Sequence, residues 1–412
     1  MSDTTYVLNP AVKIISTQDD KVELFLIGTN KKIMATSQIL KILDFFRITR
    51  SINEVNQIDD KILNFLFSEN LLIKNNTLNY YKYGLVKPDM NPIGFSANIN
   101  NIENKHNHES PWCVLGAPFA FDSPVGTDAS TGPAAIRNTL KMFSSEKLLH
   151  DGQINKEHVI FDWNRKKEYL SYLVLPKDLG NIIFNNREET FKDTQDKIAY
   201  TTYQVLNKGF KPLILGGDHS ISKPIIDSIL KKYKRINIIH FDAHTDRYSE
   251  KIINKFMLTR GNVFSEIVKH SRVESLYQIG IREYEPGVIK RDSSSSKVKV
   301  ISSRELNDLS FTNLFDEIPK DIPVYLSIDA DVFDPVIAPE VSFPVMGGLT
   351  FYQMYELINH ITSHFEIAGA DFVEVSGPEK GKNLAASCIG NLITLLLLNL
   401  GGNSSHEKRN ET

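Results

Sequence analysis

The stretch "INIIHFDAHTD", residues 236–246, begins as a buried strand and ends as something else. Ile236, Ile238, Ile239 and Phe241 give its first half the β-branched and aromatic composition of a strand buried on both faces. Its second half sets Asp242, His244 and Asp246 at alternate positions, so continued strand geometry would point all three the same way. Carboxylates aimed at one point repel, and they either share a proton or hold a cation between them. Hydrogen bonds to loop backbone are the plainer use for such acids. A strand buried on both faces belongs to a parallel α/β sheet, whose ligands gather beyond the carboxyl ends of its strands.

Working outward, residues 111–400 alternate apolar runs with helical patterns, the signature of a doubly wound, mostly parallel sheet with helices on both faces. Strands are expected at Trp112 to Gly116, Leu213 to Leu215, Ile236 to Asp242, Leu276 to Ile281, Val324 to Asp329 and Phe372 to Val375. Two further strand ends carry the same chemistry. "LILGGDHSIS" (213–222) puts Asp218 and His219 after a glycine pair that lets the backbone turn sharply. "VYLSIDADVFDP" (324–335) sets Asp329 and Asp331 two apart, followed by Asp334 and Pro335 to turn the chain. Asp242, Asp246, Asp329 and Asp331 are then four carboxylates beside two imidazoles, His219 and His244. Two divalent cations would neutralise them, and a carboxylate set with one imidazole per ion suits Mn²⁺ better than structural zinc.

"GGDHSIS", "DAHTD" and "SIDADVFDP" closely resemble the three metal-binding motifs of the arginase and agmatinase (ureohydrolase) family, in the family's order. "GTDASTGPAAIR", "QIGIRE", "APEVSFPVMGGLT" and "DFVEVSGP" resemble its flanking segments, so the likeness runs over roughly residues 111–400. The resemblance implies one Mn²⁺ on His219, Asp242, Asp246 and Asp329, and a second on Asp242, His244, Asp329 and Asp331, with Asp242 and Asp329 bridging. It implies a hydroxide between the ions as nucleophile, Asp246 orienting it, and Glu374 pairing with a substrate guanidinium, a planar cation that a carboxylate meets in a fork geometry. From "DFVEVSG" alone, Glu374 could equally be an ordinary solvent-facing strand terminus.

One departure matters. The family commonly carries a histidine and a glycine after the second motif as a proton shuttle, whereas this chain has "LTRGNVF", with Arg260 before Gly261. A guanidinium stays protonated and cannot shuttle a proton, which makes Arg260 a candidate substrate-binding residue instead. The loop "RYSEKIINKFMLT" between Asp246 and Arg260 also lacks the polar pattern with which arginases meet free arginine.

Residues 1–84 differ in composition, being rich in Asn, Lys, Ile and Leu. Short alternating segments at Val12 to Ile15, Val22 to Ile27 and Lys32 to Met34 precede an amphipathic helix from Ser37, a second helix from Ser51, a third from Asp59, and a hairpin or wing in "NLLIKNNTLNYY". This small winged-helix-like pattern resembles the peptide-recognition domains of ribosomal-peptide (RiPP) maturation enzymes, those similar to the pyrroloquinoline-quinone chaperone. Nucleic-acid binding or a part in oligomerisation are the other uses of a winged helix. Residues 85–110 read as a linker, where an exposed pair is the simpler reading of His106 and His108, and residues 401–412 as a flexible tail.

The 412 residues carry a formal net charge of −3 with 41% hydrophobic content, which suits a soluble globular chain without a nucleic-acid footprint. Lys31, Lys32, Arg47 and Arg50 are explained by a solvated face. Cys113 and Cys388 read as two buried thiols of a cytoplasmic protein. The apolar run "LITLLLLNL" reads as too short to span a bilayer and as a buried closing helix.

The sequence therefore points to a Mn²⁺-dependent ureohydrolase releasing urea, with two Mn²⁺ per chain and a homo-oligomeric state expected. The favoured partner is an arginine-containing precursor peptide, its leader bound by residues 1–84 and its arginine converted to ornithine (a peptide arginase). Agmatine or another small guanidino compound, hydrolysis of a different C–N bond, and a non-catalytic peptide-binding protein on the same scaffold are the other readings.

Overall fold

The computed structural model describes the chain apart from residues 1–3, 10–11, 19, 27–30, 48, 55–57, 76–85, 88, 90, 100–101, 103–108, 122–127, 141–142, 144–148, 151–152, 155–157, 185–188, 249–257, 285–296, 309–312, 380 and 402–412. It falls into two compact units, residues 1–87 with 185–201, and residues 88–184 with 202–412. His106, His108, most of the loop after Asp246 and residues 402–412 lie outside the described residues.

The larger unit is built on nine parallel strands. From one edge they run Val298–Ser302, Val273–Ile281, Ile236–Phe241, Val324–Asp329, Ile367–Val373, Lys211–Gly216, Trp112–Ala117, Lys177–Ile182 and Phe95–Ser96. The six strands expected from sequence are all present, with the segment around Phe372 starting earlier, at Ile367, and ending at Val373. Of these nine strands, three escaped the sequence reading because they are short or edge-lying and carry polar residues: Phe95–Ser96, Lys177–Ile182 and Val298–Ser302. The first of these corrects the linker expectation. Ile93, Ile99 and Ile102 are buried, and the Ile93 amide donates to Asp178 Oδ2 at 2.8 Å, so this part of residues 85–110 is folded into the unit.

The four central strands, those at 236, 324, 367 and 211, are adjacent, and all but the first residue of the last are buried. Their register aligns the ends: Phe241 sits opposite Ile328, Asp329 opposite Val373, and Leu215 opposite Phe372. Four chain segments distant in sequence are thereby brought within one side chain of each other at one edge of the core. After Gly216 the chain turns tightly, its Gly217 and Asp218 amides donating to Ala117 and Phe119 carbonyls. A Cβ on Gly217 would lie 1.8 Å from the Phe119 carbonyl oxygen, so the close approach requires glycine.

The run "LITLLLLNL" lies in an 18-residue helix, Leu384–Gly401, which is long and apolar enough to cross a membrane by length and composition. That corrects the expectation on length. Its Ala385, Ile389, Leu392, Ile393, Leu396 and Leu397 are buried in the core, where it packs on the helices Gly132–Thr139 and Phe351–His364. Cys113 is buried in its strand, and Cys388 is half-buried, its thiol pushed up to about 11 by burial.

The smaller unit has two three-stranded antiparallel sheets. One comprises Val12–Gln18, Lys21–Leu26 and Lys31–Thr36; the other comprises Arg50–Ser51, Thr5–Leu8 and Leu72–Lys74. Helices Gln38–Phe45 and Asp60–Ser68 close over a core of Val22, Leu24, Ile33, Ile39, Leu43, Phe46 and Leu66. The helix expected from Ser51 is instead a three-residue 3-10 turn, Ile52–Glu54, in which Glu54 Oε1 folds back to accept the Ser51 amide at 2.7 Å and no side chain is buried. Leu72–Lys74, expected in a hairpin, pairs with Thr5–Leu8; residues 76–81 of that segment lie outside the described residues. Of the four basic residues, Lys32, Arg47 and Arg50 pair with Glu23, Asp44 and Glu54.

Candidate metal centre

The comb at 242–246 forms, but not as a pleat. The strand ends at Phe241, and the chain then turns: the Ala243 amide donates to Asp331 Oδ1 at 2.9 Å and the His244 amide to Asp242 Oδ1 at 2.6 Å. Asp246 takes a left-handed backbone (φ 50°). A strand cannot keep three polar side chains converging on one point beyond its last hydrogen bond, so the loop does it by local hydrogen bonding.

All six expected ligands meet at this end of the sheet. His219 Nδ1 lies 3.2 Å from Asp242 Oδ2, 3.0 Å from Asp246 Oδ2 and 3.3 Å from Asp329 Oδ2. His244 Nδ1 lies 2.9 Å from Asp331 Oδ2 and 3.3 Å from Asp242 Oδ1. Asp242 thus turns one oxygen toward each imidazole. His219 Nδ1 is buried, within ion-pair distance of all three carboxylates but with well-aligned hydrogen-bond geometry to none of them. A nitrogen ringed by three carboxylate oxygens yet aligned with none of them is directed, like them, at a shared point.

The surroundings fix the proton on the other ring nitrogen. Ser327 donates its hydroxyl hydrogen to Asp371 Oδ1 at 2.7 Å, so its oxygen is left to accept from His219 Nε2 at 2.9 Å. Tyr325 donates to the other Asp371 oxygen at 2.6 Å. With Nε2 engaged in this way, Nδ1 is the nitrogen that faces the aspartates; they raise the His219 pKa against its burial, and a metal ion would take the place of the Nδ1 proton.

His240, which sequence reasoning passed over, is set in the same way. Gln278 donates to its Nδ1 at 2.9 Å, leaving Nε2–H to donate to Asp242 Oδ2 at 2.8 Å. Burial lowers its pKa to about 4, so it stays neutral and supports Asp242 as a donor. The available signal was the alternation itself, since His240 lies two residues before Asp242 on the same strand face. Arg282, in "QIGIRE", is a second omission. It donates to the Asp331 carbonyl at 2.6 Å and the Val345 carbonyl at 2.7 Å, tying the Asp331 turn to the loop that carries Phe343.

Charge crowding shows in the titration of the acids. Burial, and then the charge on Asp242, push Asp246 up to about 7. Burial and the charges on Asp331 and Asp242 hold Asp329 well above the usual carboxylate range, and burial with Asp242 raises Asp331. Asp242 is the exception: burial works against it, but the neighbouring imidazoles, His240 first, hold it well below. Four ionised carboxylates are not sustained here by protein groups alone, and the oxygen and imidazole donors present fit a pair of divalent cations.

Beside the cluster stands Glu374, one residue past its strand, buried and with a left-handed backbone (φ 62°). Its Oε1 accepts the His219 amide at 2.9 Å and its Oε2 accepts Arg260 Nη1 at 2.7 Å. Burial pushes it up to about 7 against the pull of Arg260. Arg260 opens a 3-10 turn capped by Thr259 and Asn262; its guanidinium lies over the Phe343 ring at 5.6 Å, with Nη2 3.8 Å from Asp218 Oδ2. His244, Asp246, Glu283, Phe343, Arg260 and Glu374 line one pocket.

The chain matches the model of the arginase family over residues 110–398. It is 29% identical over 315 residues to an agmatinase of Photorhabdus laumondii, covering 75% of this chain and 93% of that protein. Among solved structures it is similar to the arginase of Bacillus subtilis (25% identity, TM-score 0.54, 69% of this chain and 98% of that one). It shares its fold with the formimidoylglutamase of the same organism (20% identity, TM-score 0.61, 88% and 98% covered).

Because Asp242 faces both imidazoles, Asp242→Asn should abolish binding of both ions, whereas Asp331→Asn should weaken chiefly the ion beside His244. Metal content after dialysis and calorimetric titration with Mn²⁺ distinguish the two; equal, small effects of both substitutions would mark the cluster as structural.

Proposed function

The chain belongs to the arginase family and is a metal-dependent hydrolase of amidino compounds; from that premise we propose that it attacks the guanidinium carbon of an arginine within a peptide, releasing urea and leaving ornithine. The observation that carries the chemistry is the convergence of His219, His244 and four aspartates on a pocket faced by Glu374. We assign one Mn²⁺ to His219, Asp242, Asp246 and Asp329, and the other to Asp242, His244, Asp329 and Asp331. Such ions supply charge neutralisation and lower the pKa of water from about 16 toward neutrality.

The protein's own groups do the rest. Glu374 holds the substrate's planar cation, and its buried surroundings strengthen that pairing. Asp246 orients the attacking water and takes up its proton. Water oxygen bonds to the guanidinium carbon, the bond from that carbon to the chain nitrogen breaks, and the proton passes to the departing amine. Ser327 and His240 hold the His219 ring and the Asp242 carboxylate in place.

The peptide part of the proposal rests on residues 1–84, within the smaller unit. A folded unit with its own core is unnecessary for a small guanidine, and binding of a leader segment would raise the effective concentration of the attached arginine to about the millimolar range. Agmatine is the second reading, favoured by the agmatinase relatives that align with most of this chain.

Glu374→Gln should keep both metals and lose turnover by about 10²- to 10³-fold, since the charged partner of the developing transition state is removed; wild-type kinetics in that variant would remove Glu374 from the site. Offered free arginine, agmatine and an arginine-containing precursor peptide, the full-length protein should release urea from the peptide with a kcat/KM roughly 10²-fold above either small molecule, in keeping with the gain from tethering. Agmatine turned over fastest would select the small-molecule reading.

A further inference from the structure

Glu374, the carboxylate proposed to receive the substrate's guanidinium, already carries one. Arg260 Nη1 donates to Glu374 Oε2 at 2.7 Å, while Oε1 accepts the His219 amide. Both oxygens are therefore engaged, and a second guanidinium forming a fork on this carboxylate would share Oε2 with the first and bring two like charges together, which favours moving the first away. The resident cation also cancels the charge of Glu374, so an incoming cation meets a neutral pair.

Resting on the assignment of Glu374 to substrate, we propose that Arg260 is a built-in occupant of the guanidinium subsite, displaced by the substrate in a one-for-one exchange, and that this exchange selects against small free guanidines. Arg260 lies in the same pocket as the metal ligands, and its guanidinium is kept near by the Phe343 face and by Asp218, whose Oδ2 is 3.8 Å from Nη2. Asp218 is an acid to which a displaced Arg260 can turn, although its carboxylate already accepts the Phe121 amide at 2.7 Å, the Ser220 amide at 3.0 Å and the Ser220 hydroxyl. Every guanidinium substrate bears the cost of breaking the resident pair. A substrate with further contacts along its chain offsets that cost; a small guanidine has nothing else to offer. Arg260 is then a specificity-determining residue acting by competition.

The test is calorimetric titration of the manganese-loaded protein with methylguanidinium, in wild type, Arg260→Ala, Arg260→Gln and the double variant Arg260→Ala/Glu374→Gln. Both single variants should bind at least about tenfold more tightly than wild type, the scale of a charge-assisted hydrogen bond no longer broken on binding, and the double variant should lose that gain. Single variants that bind no better than wild type overturn the exchange while leaving the proposed activity standing. A gain that survives in the double variant removes Glu374 as the guanidinium subsite and overturns both. If the variants do not fold, wild-type crystals soaked in methylguanidinium decide: Arg260 moved off Glu374 supports the exchange, and a bound guanidinium beside an unmoved Arg260 overturns it.

Discussion

Four carboxylates forced together where almost no water reaches them are the constraint on which the rest of this structure depends. The sheet creates the problem: four adjacent buried strands end in register, and each delivers acids or an imidazole to the same place. Protein donors relieve only part of the repulsion, since Asp246, Asp329 and Asp331 all remain raised above the ordinary carboxylate range. Cations complete the compensation, and His219 is oriented with Nδ1 toward one through Ser327 and Asp371.

Backbone strain is concentrated at the same place. Asp246 and Glu374 are two of four non-glycine residues with positive φ among the described residues, a conformation that costs of order 1–3 kcal/mol and persists only where neighbours enforce it. Here the Asp246 carbonyl accepts the Phe264 amide and the Glu374 amide donates to Gly217. The strain is what turns each carboxylate off its strand direction and into the pocket, so function is bought with local conformational energy.

How much of this could be read from sequence differs by residue. The central strands were legible because burial on both faces leaves an unbroken apolar run, and the six ligands because their motifs follow those runs. The edge strands Phe95–Ser96 and Val298–Ser302 were not, since a partly solvated edge carries polar residues and no periodicity of its own. His240 was missed although it lies two residues before the Asp242 that it supports, whereas Asp371 acts on His219 through Ser327 of a neighbouring strand, and strand adjacency is invisible in a linear chain. Arg260 stood out as a departure, but its partner Glu374 lies 114 positions away, and only the folded turn at Thr259–Asn262 brings them together. In the smaller unit, the helix expected from Ser51 stops as a single turn at Ile52–Glu54, none of whose side chains is buried to carry a helix onward.

The central claim is that paired divalent ions, and not shared protons, reconcile these carboxylates. Anomalous scattering from crystals of the manganese-loaded protein tests it most directly. The account predicts two peaks, one beside His219 Nδ1 and one beside His244 Nδ1, with Asp242 between them. A single peak, or none with the aspartates hydrogen-bonded to one another, would contradict it.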